Sequence, residues 1–301
     1  MDPKPHKSYE EQLALLEERG MKFQDRSAAL KLVKHAGYYT LSGYWYPFRV
    51  KQGDGTRGDE FRPGTKFEDI RAFWDFDNRL RAVTLAALQP IETYLRALLA
   101  HELGAVDPLV HEKPELLSID KGIDYNRWLS ILKREIRKSR EEYIRHHRET
   151  RNGIIPIWVA TGVLDWGGLS HLYSISPYKV REKISTEFLL STAQLKSWLR
   201  SLNIVRNVCA HHSRFFNRHY SVTPKLPASN PTFEELRSDT DATFLMLTLV
   251  QHLGQATLGF NRRLVPAVLQ TFPKGRGLDL GAMGAPTNWE KLPLWCSTEP
   301  R

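Results

Sequence analysis

Cysteine is almost missing from this 301-residue sequence: only Cys209 and Cys296 occur. Their separation does not resemble a zinc-ligand or redox pair, which argues against a disulfide-framed secreted scaffold and for free thiols in a reducing cytosol. Long apolar runs are lacking too. No stretch reaches the roughly 18 apolar residues of a membrane span, the mean hydropathy is −0.43, and the polar opening MDPKPHKSYEEQ holds no signal core. No membrane partner is expected, and the cytoplasm is the expected location. There is no carboxylate cluster where a magnesium pair would need one, so neither a metal nor another cofactor is expected. Repeats, low-complexity blocks and long linkers are missing as well. The chain therefore reads as one domain over residues 1–301, with the Gly-rich stretch Lys51–Gly64 as the best boundary. That divides it into a possible subdomain at 1–64, a core over about 65–265 and an irregular tail at 266–301.

What is present is positive charge and helical patterning. Lys and Arg number 43 against 34 Asp and Glu, a net charge of +9, which makes a polyanion a plausible partner. Apolar residues recur mostly at offsets of three and four, so the expected fold is all-α. Ser8 with Glu11 three residues later forms a capping-box signal for a helix stopped by Gly20. A second helix fits Asp25–His35, ended by Gly37. The aromatic block from Gly37 to Phe48 reads as a turn whose Tyr38, Tyr39, Tyr44, Trp45, Tyr46 and Phe48 anchor the core or, less expectedly, stack bases. Phe67–Gly104 reads as a long helix or a helix pair broken at Pro90. Further helices are expected over Asp124–Arg151, Trp158–Tyr173, Ser191–His219 and Asp241–Arg263, before an irregular tail from Pro273 to Trp295.

Two segments carry candidate chemistry. Within Ile131–Arg151 lie eight Lys/Arg and four Glu. This is either a solvated helix laced with pairs such as Glu141–Arg145 or a surface whose Arg145, Arg148 and Arg151 track an RNA backbone. The second segment is Arg206-Asn207-Val208-Cys209-Ala210-His211. An Arg-x4-His spacing means little alone, since about one is expected by chance in a chain with this Arg and His content; Arg96/His101, Arg206/His211 and Arg214/His219 all show it. Arg96 is the less promising because Glu92 can pair with it, and His219 because the helix should end before Pro224.

On a helix running from Leu199 to Arg218, at about 100° per residue, Arg206, Arg214, Asn207, Arg218 and His211 fall within about 140° of one another. Phe215, Val208, Phe216, Cys209 and Leu202 form an apolar stripe opposite. His212 falls in that stripe, so His212 and Cys209 are expected to be buried structural residues and His211 the one that does chemistry. RNA supplies its own nucleophile, the 2′-hydroxyl. A cutting site therefore needs a proton acceptor, which histidine provides, and a cation for the crowded phosphate, which arginine's fork provides. Asn207 would orient the imidazole or hold a ribose hydroxyl, while Arg214 and Arg218 would bind RNA. The plain alternative is a helix edged with solvated charges.

The stretch SLNIVRNVCAHHSRFFNR (Ser201–Arg218) resembles the signature of Abi-like proteins, the AbiD/AbiF group of bacterial phage-defence proteins in the HEPN superfamily. PHKSYEEQLALLEERG, GYYTLSGYWYPF, FWDFDNRLR with IETYLR, IWVATGVLDWGGLSHLY and MGAPTNWEKLPLW match further landmarks in order. The resemblance implies a HEPN-like bundle with additional N-terminal and C-terminal helices. It also implies metal-independent endoribonuclease chemistry with Arg206 and His211 as the Arg-x4-His pair and Asn207 as its polar neighbour. A site completed across a homodimer is implied as well, together with a structured non-coding RNA as partner and kinship with type VI CRISPR nucleases. The sequence departs from the pattern at Gly162, where the family tends to carry Glu, and at Gly37-Tyr38-Tyr39-Thr40, where Asn-Tyr-Tyr-Arg is expected. Two other readings stand beside the nuclease: a catalytically silent protein that holds a structured RNA as a sensor or scaffold, and a protein-interaction subunit.

Overall fold

A computed structural model describes residue 3, residues 5–120, residue 122 and residues 124–296. Among these the regular structure is almost wholly helical, with one two-stranded hairpin. The N-terminal elements follow their capping signals. In α1 (Tyr9–Glu18) the Ser8 hydroxyl accepts from the Glu11 N–H while Glu11 reaches back to the Ser8 N–H. In α2 (Arg26–Ala36) Asp25 caps the start, and Gly37, at φ 83°, turns the chain directly into α3 (Tyr38–Trp45).

The aromatic block is thus a helix rather than a turn. Leu41, Tyr44, Trp45 and Phe48 recur at three- and four-residue spacing and are buried, and burying that stripe outweighs the weak helix propensity of Gly43. Tyr39 and Tyr46 stay exposed. The Gly-rich stretch becomes the hairpin β1 (Arg49–Lys51) and β2 (Arg57–Phe61), with Arg49 opposite Phe61.

The organising element is α4 (Phe67–Gly104), a single helix of 38 residues containing Pro90. At 1.5 Å per residue it is about 57 Å long. Its buried stripe runs Phe67, Ile70, Phe73, Phe76, Leu80, Thr84, Leu88, Ile91, Leu95, Leu99 and Leu103, a periodicity that wraps enough of the surface to receive neighbours on several sides. The basic segment, expected as one helix, is two: α5 (Tyr125–Lys138), capped by Asp124, and α6 (Glu142–Thr150). The Trp158–Tyr173 segment likewise splits, into the single turn α7 (Ile157–Ala160) and α8 (Trp166–Ile175), where Asp165 accepts from the Gly168 N–H.

After α9 (Tyr178–Glu187) comes α10 (Thr192–Ala210), opened by a Ser191/Gln194 capping box. The short α11 (Pro231–Glu235) leads to α12 (Thr243–Gly254). Eleven of the twelve residues of α12 are buried, so it is enclosed by α4, α10 and the tail rather than packed on one face. Then α13 (Leu264–Leu269) returns against α4. The tail is irregular, as expected, yet anchored: Trp295 stacks on Phe244 at 4.8 Å and its indole N–H donates to Thr248. One contiguous apolar cluster runs from Leu13 to Trp295.

Candidate functional site

The segment Arg206–His211 ends α10, which packs beside α4 and α8. Arg206 projects into a cleft of about 440 Å³ walled by α4 residues including Leu85, Gln89, Glu92, Thr93 and Arg96. Among the described residues its guanidinium makes one long hydrogen bond, to the Asn207 side-chain oxygen at 3.4 Å. It therefore keeps most of its five donors for a ligand. Arg96 shares the cleft but is committed: it donates to Glu92 at 2.7 Å, as the spacing predicts, and to the Leu164 carbonyl at 2.9 Å.

The helix stops at Ala210, eight residues sooner than Arg218. His211 is its C-cap, and its N–H donates to the Asn207 carbonyl. His212 takes the left-handed conformation at φ 56°, the His212 N–H donates to Cys209 and the Ser213 N–H to Val208. These two bonds close a Schellman turn with histidine where glycine is usual. This corrects the expectation for His212. The wheel assigned it to the buried stripe on the assumption of continuing helix, but the turn carries it into solvent beside His211. Among the described residues, neither imidazole hydrogen-bonds to the protein through its side chain. Cys209 does face the core, 1 % exposed, where burial pushes its thiol up to about 12.

Arg214 and Arg218 are consequently not on the helix face that the wheel assigned to them. They sit in the loop beyond it and partly staple that loop to itself. Arg214 donates to the carbonyls of Phe216 and Asn217, at 3.1 and 2.7 Å, and lies over Gly43 of α3, where a Cβ would come within 2.9 Å of its Nε. Arg218 donates to the Arg214 carbonyl and lies 5.9 Å from the Tyr220 ring. Phe215 and Phe216 still point inward.

What holds this loop was missed in the sequence. Asp77 on α4 is fully buried and accepts from four donors: the Tyr44 hydroxyl (2.5 Å), the Arg81 guanidinium (2.5 Å), and the N–H groups of Phe215 (3.1 Å) and Phe216 (2.6 Å). Arg81 also donates to Asn78. Burial pushes the Asp77 carboxyl upward, while Arg81, Tyr44 and the two N–H groups pull it back. This bridge ties α3, α4 and the loop after His211 into one unit. The signal available was the acidic residue within FWDFDNRLR: at a core position of an otherwise apolar stripe, a carboxylate needs a partner, and Arg81 lies one turn away.

The basic segment lies apart from these contacts. Arg145 and Arg151 are exposed, Arg145 standing 3.9 Å from Glu142 rather than pairing with Glu141. Arg148 donates to the carbonyls of Ile136 and Ser139 and so closes the junction between α5 and α6. At Gly162, a Cβ would fall 2.6 Å from the Tyr143 hydroxyl, so the space that a larger side chain needs is filled from α6. Among the described residues, one group could hold a cation: His219, Asp239 and Asp241, whose ligand atoms lie within 4.8 Å of one another, with His219 Nδ1 3.3 Å from Asp241.

A family model described as Abi-like protein matches residues 31–217, more than half of the chain. The chain belongs to the Abi-like family. Abi denotes abortive infection, so this membership sets the chain among phage-defence proteins. The matched span takes in Asp77, Arg81, Arg206, His211 and Arg214, while the opening Pro5–Gly20 and the tail Met283–Trp295 lie outside it. Neither the curated proteins nor the solved structures contain a match. No helix among the described residues is long and apolar enough to cross a membrane.

Proposed function

We propose that this Abi-like protein is a metal-independent endoribonuclease of the HEPN type that cuts RNA during abortive infection. The observation that carries this reading is the unspent Arg206 guanidinium at the α4–α10 cleft, five residues before an exposed His211 that caps the same helix. His211 takes the proton of the 2′-hydroxyl or returns one to the leaving 5′-oxygen. Arg206 binds the phosphate and neutralises charge as it becomes crowded, and Asn207 holds Arg206 in place. The reaction conserves atoms: the 2′-oxygen bonds to phosphorus, the 5′-oxygen departs with a proton, and a 2′,3′-cyclic phosphate remains.

Incubating purified protein with single-stranded RNA in excess chelator tests this. Fragments with 2′,3′-cyclic phosphate ends are expected. Cutting that needs added magnesium and leaves 3′-hydroxyl ends would contradict it.

Five residue steps set Arg206 and His211 about 7.5 Å apart along the axis, and no hydrogen bond joins their side chains. A phosphate held between an Arg206 from one copy and a His211 from another would resolve that separation, so the working form is a homodimer. Sedimentation at working concentration should give twice the chain mass of 34.8 kDa; an active monomer would refute the composite site.

The exposed cations of α6 and its C-cap supply the backbone contacts. Since Arg148 is occupied with main-chain carbonyls, the electrostatic share falls to Arg145 and Arg151. Replacing both with alanine should reduce the slope of log K against log salt by about 1.4, at about 0.7 per single-strand phosphate. An unchanged slope would remove α6 from the RNA path.

A further inference from the structure

A second pocket, sharing no residue with the Arg206 cleft, opens where the Val110–Glu112 turn, α5 and the turn after α6 meet. Its volume is about 300 Å³, the lower end of the range for pockets that enclose a small ligand. Three kinds of chemistry converge on it. Leu109, Ile136 and Ile155 make an apolar wall. Lys133 and Arg137, one turn apart on α5, supply positive charge. Lys133 is shared with Glu112 at 3.0 Å, whereas the Arg137 guanidinium has no hydrogen bond or ion pair among the described residues.

The third component is His111. Its side chain is buried, the residue being 2 % exposed, and among the described residues its Nδ1 has no hydrogen-bond partner. Buried polar atoms in folded proteins are nearly always partnered; Nδ1 is closed to solvent as the ring stands, so a ligand hydroxyl in the pocket that His111 lines reaches this nitrogen through a turn of the imidazole. Burial also pushes this imidazole down to about 4, leaving it neutral near pH 7 with one donor and one acceptor nitrogen. A neutral ring suits a hydroxyl, while the cations beside it suit a phosphate.

We propose that this pocket binds one ribonucleotide unit, with its phosphate on Arg137 and Lys133, a ribose hydroxyl on the His111 imidazole, and its base against Ile136 and Ile155. The unit is either a free nucleotide or the 5′ end of an RNA chain, since both present the same groups. The site stands whether or not Arg206 and His211 cut RNA. It gives the basic segment a specific contact in addition to its exposed arginines.

Calorimetric titration of the full chain with adenosine 5′-monophosphate, its 2′-deoxy counterpart and a 5′-phosphorylated oligoriboadenylate tests the proposal. The ribose form should bind about tenfold tighter than the deoxy form, the ratio that one well-formed hydrogen bond confers. Lys133→Ala with Arg137→Ala should weaken binding at least tenfold. His111→Leu should bring the ribose and deoxy forms to equal affinity without lowering the melting temperature, because it removes an unpartnered buried nitrogen. If only the oligonucleotide shows this pattern, the unit is an RNA end. Equal affinity for ribose and deoxy forms in the unaltered protein, which needs no variant to fold, would overturn the proposal. So would indifference to the paired Lys133 and Arg137 replacements, or no binding of any probe.

Discussion

His211→Ala is expected to slow RNA cutting by about 10²- to 10⁴-fold, the usual contribution of a positioned general acid or base, while leaving stability within about 0.5 kcal/mol. The second half of that expectation follows from the helix end. The His211 side chain is exposed and makes no hydrogen bond among the described residues, and its structural contribution is a backbone N–H that alanine retains. Arg206→Ala should lose a comparable factor, because a cation aimed at a crowded phosphate contributes most in the transition state. Arg206→Lys should recover little, since an ammonium cannot present the planar fork. Matched thermal melts and single-turnover cleavage rates check both halves together. If the rate falls only in proportion to lost folded protein, His211 is structural and the nuclease reading fails.

Asp77→Ala should act in the opposite way, through the fold. It would strand the Arg81 guanidinium, the Tyr44 hydroxyl and the N–H groups of Phe215 and Phe216 in a dry interior. Removing one member of a buried ion pair typically costs about 3–5 kcal/mol, a large part of the 5–15 kcal/mol by which such domains are stable. Asp77→Asn should be intermediate, because the amide keeps one acceptor but turns donors towards donors. In a denaturant titration Asp77→Ala should shift the midpoint down with little change in slope. A loss below about 1 kcal/mol would mean that the loop after His211 is held by something other than Asp77.

The contrast between these two variants reflects what was legible in the sequence. Helix ends announced themselves: Ser8 with Glu11 before α1 and Gly37 after α2 stand where the spacing puts them. So did the long stripe of α4. The end of α10 did not, because helices are usually stopped by glycine or asparagine, and here His212 adopts the left-handed turn. The wheel therefore ran on past Ala210, turning His212 inward and lining up Arg214 and Arg218 on a helix face they do not occupy. Phe215 and Phe216 are buried as the wheel had it, but they reach the core from a loop pinned by Asp77. The break at Ser139–Glu141 between α5 and α6 was equally silent, since neither proline nor glycine marks it. It is fastened by Arg148 on main-chain carbonyls, a contact that no periodicity reveals. Of the Asp77 bridge only Arg81, one turn away, was within reach of the spacing; Tyr44 and Phe215 lie 33 and 138 residues away in the chain.

The central claim is that Arg206 and His211 together cut RNA. It is tested most directly by mapping RNA ends in phage-infected cells that express either the unaltered chain or His211→Ala at equal level. New 2′,3′-cyclic phosphate ends with the unaltered chain, lost in the variant, are the predicted result. RNA that co-purifies equally with both proteins, with no new ends in either, would contradict it and leave a protein that holds RNA without cutting it.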